Sequence, residues 1–85
     1  MTWLEKIDDM IASETRKTIN EKGSYASTHE GLAVIMEEFE ELKKEVFSKN
    51  PDKSKLLHEA VQIASSARVF AFCFGGIPPD SEEAI

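Results

Sequence analysis

The chain has 85 residues, with 16 acidic against 10 basic side chains, a formal net charge of −6 and a pI near 4.8. Its 41% hydrophobic content excludes a disordered tail, and its surplus of carboxylates argues against any role that coats a nucleic acid polymer. The lone Cys73 excludes an intramolecular disulfide, no apolar run reaches the ~18 residues of a membrane span, and charges interrupt the N-terminal apolar residues, so a small cytoplasmic domain with no membrane partner is expected.

Glycine and proline punctuate the chain at Gly23, Gly31, Pro51 and the run from Gly75 to Pro79, which predicts three helices over about 2–22, 28–49 and 53–74 and an acidic tail over 75–85. The first helix has Thr2 as N-cap with Glu5 three residues on, then Trp3, Leu4, Ile7, Met10 and Ile11 at helical spacing. Its second half is polar, so it is expected to pack by its first half and to stop at Gly23 in the left-handed region. The second helix opens on a capping box, Ser27 to Glu30, in which Glu30 reaches back to the Ser27 amide. Leu32, Ile35, Phe39, Leu42 and Val46 follow in steps of three and four as a seam, and Asn50-Pro51 closes it. In the third helix Leu56, Ala60, Ile63, Ala64, Ala67, Phe70, Ala71 and Phe74 define the expected buried stripe, widened by Val61 and Val69.

The fold class that follows is all-α: an antiparallel helical hairpin plus an N-terminal helix, forming one domain over 1–85. A core of this size supplies only ~3–5 kcal/mol, and three helices with so much apolar flank leave surface uncovered. A four-helix-type bundle completed by oligomerisation, as a homodimer or homotetramer, is therefore expected.

The chemistry concentrates in the second and third helices. Glu37, Glu38, Glu40, Glu41 and Glu45 crowd one helix, and at about 100° per residue Glu38 and Glu45 lie beside the apolar seam while Glu37 and Glu40 turn toward solvent. Glu38 and Glu41, at an i, i+3 spacing, can place two hard oxygen ligands on one ion, which suits Mg²⁺ or Mn²⁺ rather than zinc. Glu59 and Gln62 repeat that spacing on the third helix, and a hairpin across Asn50-Pro51 brings Glu59 to the level of Glu38. The plain alternative is a solvated acidic face balanced by Lys43 and Lys44.

His29, His58 and Cys73 lack zinc-site spacing, and Ser65-Ser66 lack the context of an activated nucleophile, so these read as cap and packing residues. Phe70, Phe72 and Phe74 alternate by two, which spreads them around a helix and favours burial between several helices or in an interface. No Walker loop or dinucleotide fingerprint is present.

The segment His29-Glu30-Gly31-Leu32-Ala33-Val34-Ile35-Met36-Glu37-Glu38-Phe39-Glu40-Glu41-Leu42, followed by Leu57-His58-Glu59-Ala60-Val61-Gln62-Ile63-Ala64, resembles the MazG-like branch of the all-alpha nucleoside triphosphate pyrophosphohydrolases, including its short phage and mobile-cassette forms. The family pattern is ExxE, a spacer, then ExxD. Here it reads Glu38-Phe39-Glu40-Glu41 and Glu59-Ala60-Val61-Gln62, over roughly the central half of the chain. The resemblance implies a dimeric or tetrameric helical bundle that binds Mg²⁺ and hydrolyses a (deoxy)nucleoside triphosphate to the monophosphate and pyrophosphate. By this mapping Glu38, Glu41, Glu59 and Gln62 hold metal and Glu37 is a carboxylate acting through water. Lys43, Lys44, Lys55 and Arg68 are the candidates for phosphate contact, and Trp3, Tyr25 or Phe70 for the base. Gln62 departs from the family's Asp: an amide oxygen coordinates Mg²⁺ without bringing charge, so metal is held less tightly or with help from Glu37. The competing reading is a non-catalytic helical interaction protein in which the metal site has degenerated.

Overall fold

The computed structural model describes residues 1–76, which form three helices: α1 (Trp3–Lys22), α2 (Thr28–Val46) and α3 (Lys53–Phe74). Among the described residues there is no strand, and no helix is long and apolar enough to cross a membrane. Most of the acidic tail expected over 75–85 lies outside the described residues.

Local chemistry sets the helix ends. Thr2 caps α1 by accepting from the Glu5 amide, and the Glu5 carboxylate accepts from the Thr2 amide, which satisfies two otherwise orphaned donors. Gly23 stops α1 with φ at 71°, a conformation costly for a residue with a Cβ, while its amide donates to the Ile19 carbonyl. At the head of α2, Ser27 Oγ accepts from the Glu30 amide as expected, but Glu30 reaches one residue further back, to the Ala26 amide at 3.1 Å. Helix α2 ends at Val46, three residues earlier than expected. The Ser48 hydroxyl takes the Glu45 carbonyl at 2.7 Å, competing with continued helix, and Glu45 Oε2 accepts from the Asp52 amide at 2.9 Å, which braces the turn into α3. Asp52 then caps α3 by accepting from Ser54 and Lys55.

Helix α3 lies between the other two, packing on both while they do not pack on each other. It runs antiparallel to α2, with Gly31 against Phe70 near one end and Glu45 bonded to Asp52 at the other. It runs parallel to α1, since Glu14 meets Gln62 and Thr15 meets Ser65 at nearly constant offset.

This arrangement moves the buried stripe of α3. The fully buried positions are Val61, Ser65, Ser66 and Val69, whereas Ala60, Ala67, Ala71 and Phe74 of the expected stripe are exposed and Leu56, Ile63, Ala64 and Phe70 half-buried. The cause is the side on which α1 docks: Thr15, the one buried residue of α1, donates to the Ile11 carbonyl at 2.7 Å and touches Ser65 Oγ at 3.3 Å, where two small side chains let the helices approach. The expectation that α1 packs by its first half is thereby corrected. Its deepest point lies in the polar second half, and Trp3 stands 73% exposed. The α2 seam is also partly uncovered, with Leu32, Phe39 and Val46 at 50% or more exposure and Ile35 and Leu42 half-buried. Close approach of α2 to α3 depends on Gly31, because a Cβ there would meet the Phe70 ring at 2.7 Å and the Tyr25 ring at 2.8 Å. Phe70 is itself held edge-on by Phe74, with ring centroids 5.0 Å apart.

Candidate functional site

The antiparallel pairing of α2 and α3 gathers three carboxylates on one flank: Glu38 and Glu41, one turn apart on α2, and Glu59 opposite them on α3. Glu38 and Glu59 are half-buried and Glu41 is exposed. Glu38 Oε1 and Glu59 Oε2 are both shut off from solvent, and neither has a hydrogen-bond partner. A buried charged oxygen without a partner costs about 1–3 kcal/mol or more, so the two orphans stand out among the polar atoms of the described residues.

The electrostatics follow from that crowding. Burial pushes the Glu38 carboxyl above the usual glutamate range, a hydrogen-bonding neighbour in Ser66 partly offsets this, Glu41 and Glu59 push it up further, and Lys22 pulls it down. The Glu59 carboxyl is also raised, first by burial, then by the neighbouring Glu41 carboxyl, against a small opposing effect of His58. The three side chains therefore act on one another as a cluster.

Hard oxygen donors with unpartnered lone pairs suit Mg²⁺ or Mn²⁺, and Glu38, Glu41 and Glu59 are the side chains that would hold the ion. As they stand, no three His, Cys, Asp or Glu among the described residues already sit in metal-holding geometry. Ligation would require these side chains to close on the ion.

Gln62 points elsewhere. Its Nε2 donates to Glu14 Oε1 of α1 at 2.8 Å, a half-buried bond linking α3 to α1. The Glu14–Gln62 pair lines two spaces. One is an open groove of about 560 Å³ between the first halves of α1 and α3, lined by Met10, Leu57 and His58 among others and by none of the three clustered carboxylates. The other is a smaller cavity of about 190 Å³ between the second half of α1 and the α2/α3 pair, with Glu38 in its wall beside Lys17, Lys22, Tyr25 and Ser66. The smaller cavity is the one joined to the site.

The remaining candidates sort by position. Glu37 and Lys44 are exposed on the outer side of α2, in a shallow groove that also includes Glu41 and Phe47. Lys55 and Arg68 are exposed on α3 and line none of these spaces. Of the aromatic candidates, Tyr25 lines the Glu38 cavity and donates through Oη to the Ser66 carbonyl at 3.4 Å, while Phe70 is occupied by Gly31 and Phe74. Sequence reasoning left out Glu14, Lys17, Lys22 and Ser66 at this place. The Glu14, Thr18, Lys22 periodicity on one face of α1 was the available signal.

Comparison with protein-family models, with curated proteins and with solved structures gives no match.

Proposed function

We propose that the protein is a Mg²⁺-dependent (deoxy)nucleoside triphosphate pyrophosphohydrolase, with Mn²⁺ as an alternative ion. The observation that carries this reading is the pair of buried, unpartnered oxygens of Glu38 and Glu59 beside Glu41, on a hairpin whose motif order resembles the MazG-like pattern. A divalent ion held by these oxygens would offset triphosphate charge and lower the pKa of a coordinated water. In the reaction a water oxygen bonds to the α-phosphorus, the bridging oxygen leaves with pyrophosphate, and the water proton passes to a carboxylate. A carboxylate left free of the ion takes that role, and Glu37, exposed in the outer groove beside Glu41, would do so through solvent. Tyr25, in the wall of the adjoining cavity, offers the base an aromatic face. The uncovered seam of Leu32, Phe39 and Val46 supports assembly as a homodimer or homotetramer in the cytoplasm, where a second copy completes the bundle.

One observation favours a different class. Gln62 donates through Nε2 to Glu14 across to α1, as a structural residue would, which fits a helical interaction protein that has given up catalysis. Pyrophosphate release from a panel of ribo- and deoxynucleoside triphosphates separates the two. An enzyme shows metal-dependent release that Glu38→Gln and Glu59→Gln each reduce beyond the about 10–100-fold that changes behind a ligand already cost. Absence of release from a folded, oligomeric parent sinks the enzyme reading in favour of the interaction protein.

A further inference from the structure

We infer that the cations meeting the phosphates of the nucleotide come from the end of α1, Lys22 first and Lys17 beside it, rather than from Lys44, Lys55 or Arg68 on the hairpin. The inference rests on the nucleotide reading above and names the part of the site that the family pattern leaves open.

Three features support it. Lys17, Thr18 and Lys22 occupy one face of the last turns of α1, and that face lines the same cavity of about 190 Å³ as Glu38. Lys17 has Glu21 one turn on and can pair within its own helix, whereas the residue one turn before Lys22 is Thr18, so no acid on α1 competes for the Lys22 charge from that position. Tyr25 and Ser66 line that cavity as well, so Lys22 shares one space with the acid, the aromatic face and the hydroxyl grouped around Glu38. The hairpin cations share no cavity with Glu38: Lys43 and Lys44 lie in the outer groove, which meets the cluster only at exposed Glu41, and Lys55 and Arg68 line neither space.

Charge balance points to the same ligand. Lys17 and Lys22 share the cavity with the carboxylates of Glu14, Glu21 and Glu38, so its formal charge stays negative. A bare polyanion is repelled there. A triphosphate carrying its own divalent ions is accepted, the ions facing Glu38 and the outer oxygens facing Lys22.

The plain alternative is that Lys22 only complements the negative end of the α1 dipole. Calorimetric titration with an α,β-methylene nucleoside triphosphate and Mg²⁺ distinguishes the two, with melting temperature as the structural readout. Lys22→Gln is expected to weaken binding about tenfold or more, to leave the melting temperature within a few degrees of the parent, and to be largely restored by Lys22→Arg; Lys17→Gln weakens binding less, and exposed Lys49→Gln not at all. Parent-like affinity in Lys22→Gln overturns the inference, as does an affinity loss that appears at Lys44→Gln, Lys55→Gln or Arg68→Gln instead. If the parent neither binds the analogue nor releases pyrophosphate, the nucleotide reading fails and this assignment fails with it. If the parent does both while Lys22→Gln matches it, the assignment alone fails.

Discussion

The two sides of α3 treat buried polarity in opposite ways. Toward α1, the Thr15 hydroxyl is bonded to the Ile11 carbonyl and Ser65, and the Gln62 amide to Glu14, so these internal polar groups have partners. Toward α2, Glu38 and Glu59 each present an oxygen closed off from water and bonded to nothing. One helix thus carries a satisfied joint on one face and an unsatisfied cluster on the other. Satisfied polar groups give a joint its register; unsatisfied ones at a fixed place are where a bound cation would restore the balance.

The largest test of this contrast is cation-linked stability. With a divalent ion at about 100 times its Kd, the parent is expected to gain about 2.7 kcal/mol by mass action, read as a rise in melting temperature of about 4–8 °C for each kcal/mol. Glu38→Gln or Glu59→Gln should lose most of that gain while still folding; an equal rise in parent and variants breaks the comparison.

Next comes the packing that holds the unsatisfied face in place. Gly31→Val drives side-chain atoms into Phe70 and Tyr25 and is expected to destabilise by about 1–3 kcal/mol, measured by urea unfolding. A neutral result would mean that α2 has room to move away from α3.

The pH response sharpens the difference further. Glu38 and Glu59 both have folded pKa values raised above the ordinary 4.5, so the folded chain binds more protons than the unfolded one between that value and the raised ones. Their contribution to stability is full below the unfolded pKa and is lost as pH rises through the folded values. In metal-free buffer, melting of the Glu38→Gln/Glu59→Gln double variant is therefore expected to improve steadily against the parent from pH 4.5 upward. A constant difference across that window contradicts the crowding.

The smallest effect belongs to the satisfied face. Thr15→Val keeps the shape but removes the hydroxyl from Ser65, for an expected cost of about 0.5–1.5 kcal/mol and no change in the cation response. An altered cation response would show that the two faces are coupled.

What the sequence disclosed follows the range of the interactions involved. The Thr2, Ser27 and Asp52 caps and the Gly23 stop lie within a few residues of what they bond, so the three helices were legible, and the early end of α2 was missed because the Ser48 side chain competes with the backbone. Glu38, Glu41 and Glu59 were legible because helical spacing and one short turn bring them together. Val61 and Val69 were legible as an apolar face beyond the main stripe, but the burial of Ser65 was not, because its contact with Thr15 comes from fifty positions away, a choice that apolar spacing on α3 alone does not encode. The partner of Gln62 was hidden for the same reason: spacing placed it with Glu59, and docking of α1 gave it to Glu14.

The bond from Glu45 to the Asp52 amide also bears on the order in which the molecule assembles. It closes a loop of seven residues, whereas the contact of Thr15 with Ser65 closes one of fifty. The chain-entropy cost of the longer closure exceeds that of the shorter by about 1.7 kcal/mol, so the α2/α3 hairpin is the cheaper first event and docking of α1 the later one. The carboxylate cluster is then complete before Lys22 arrives. A nascent chain at that stage already holds the acidic cluster, while the cavity proposed to select a ligand waits for α1 to dock.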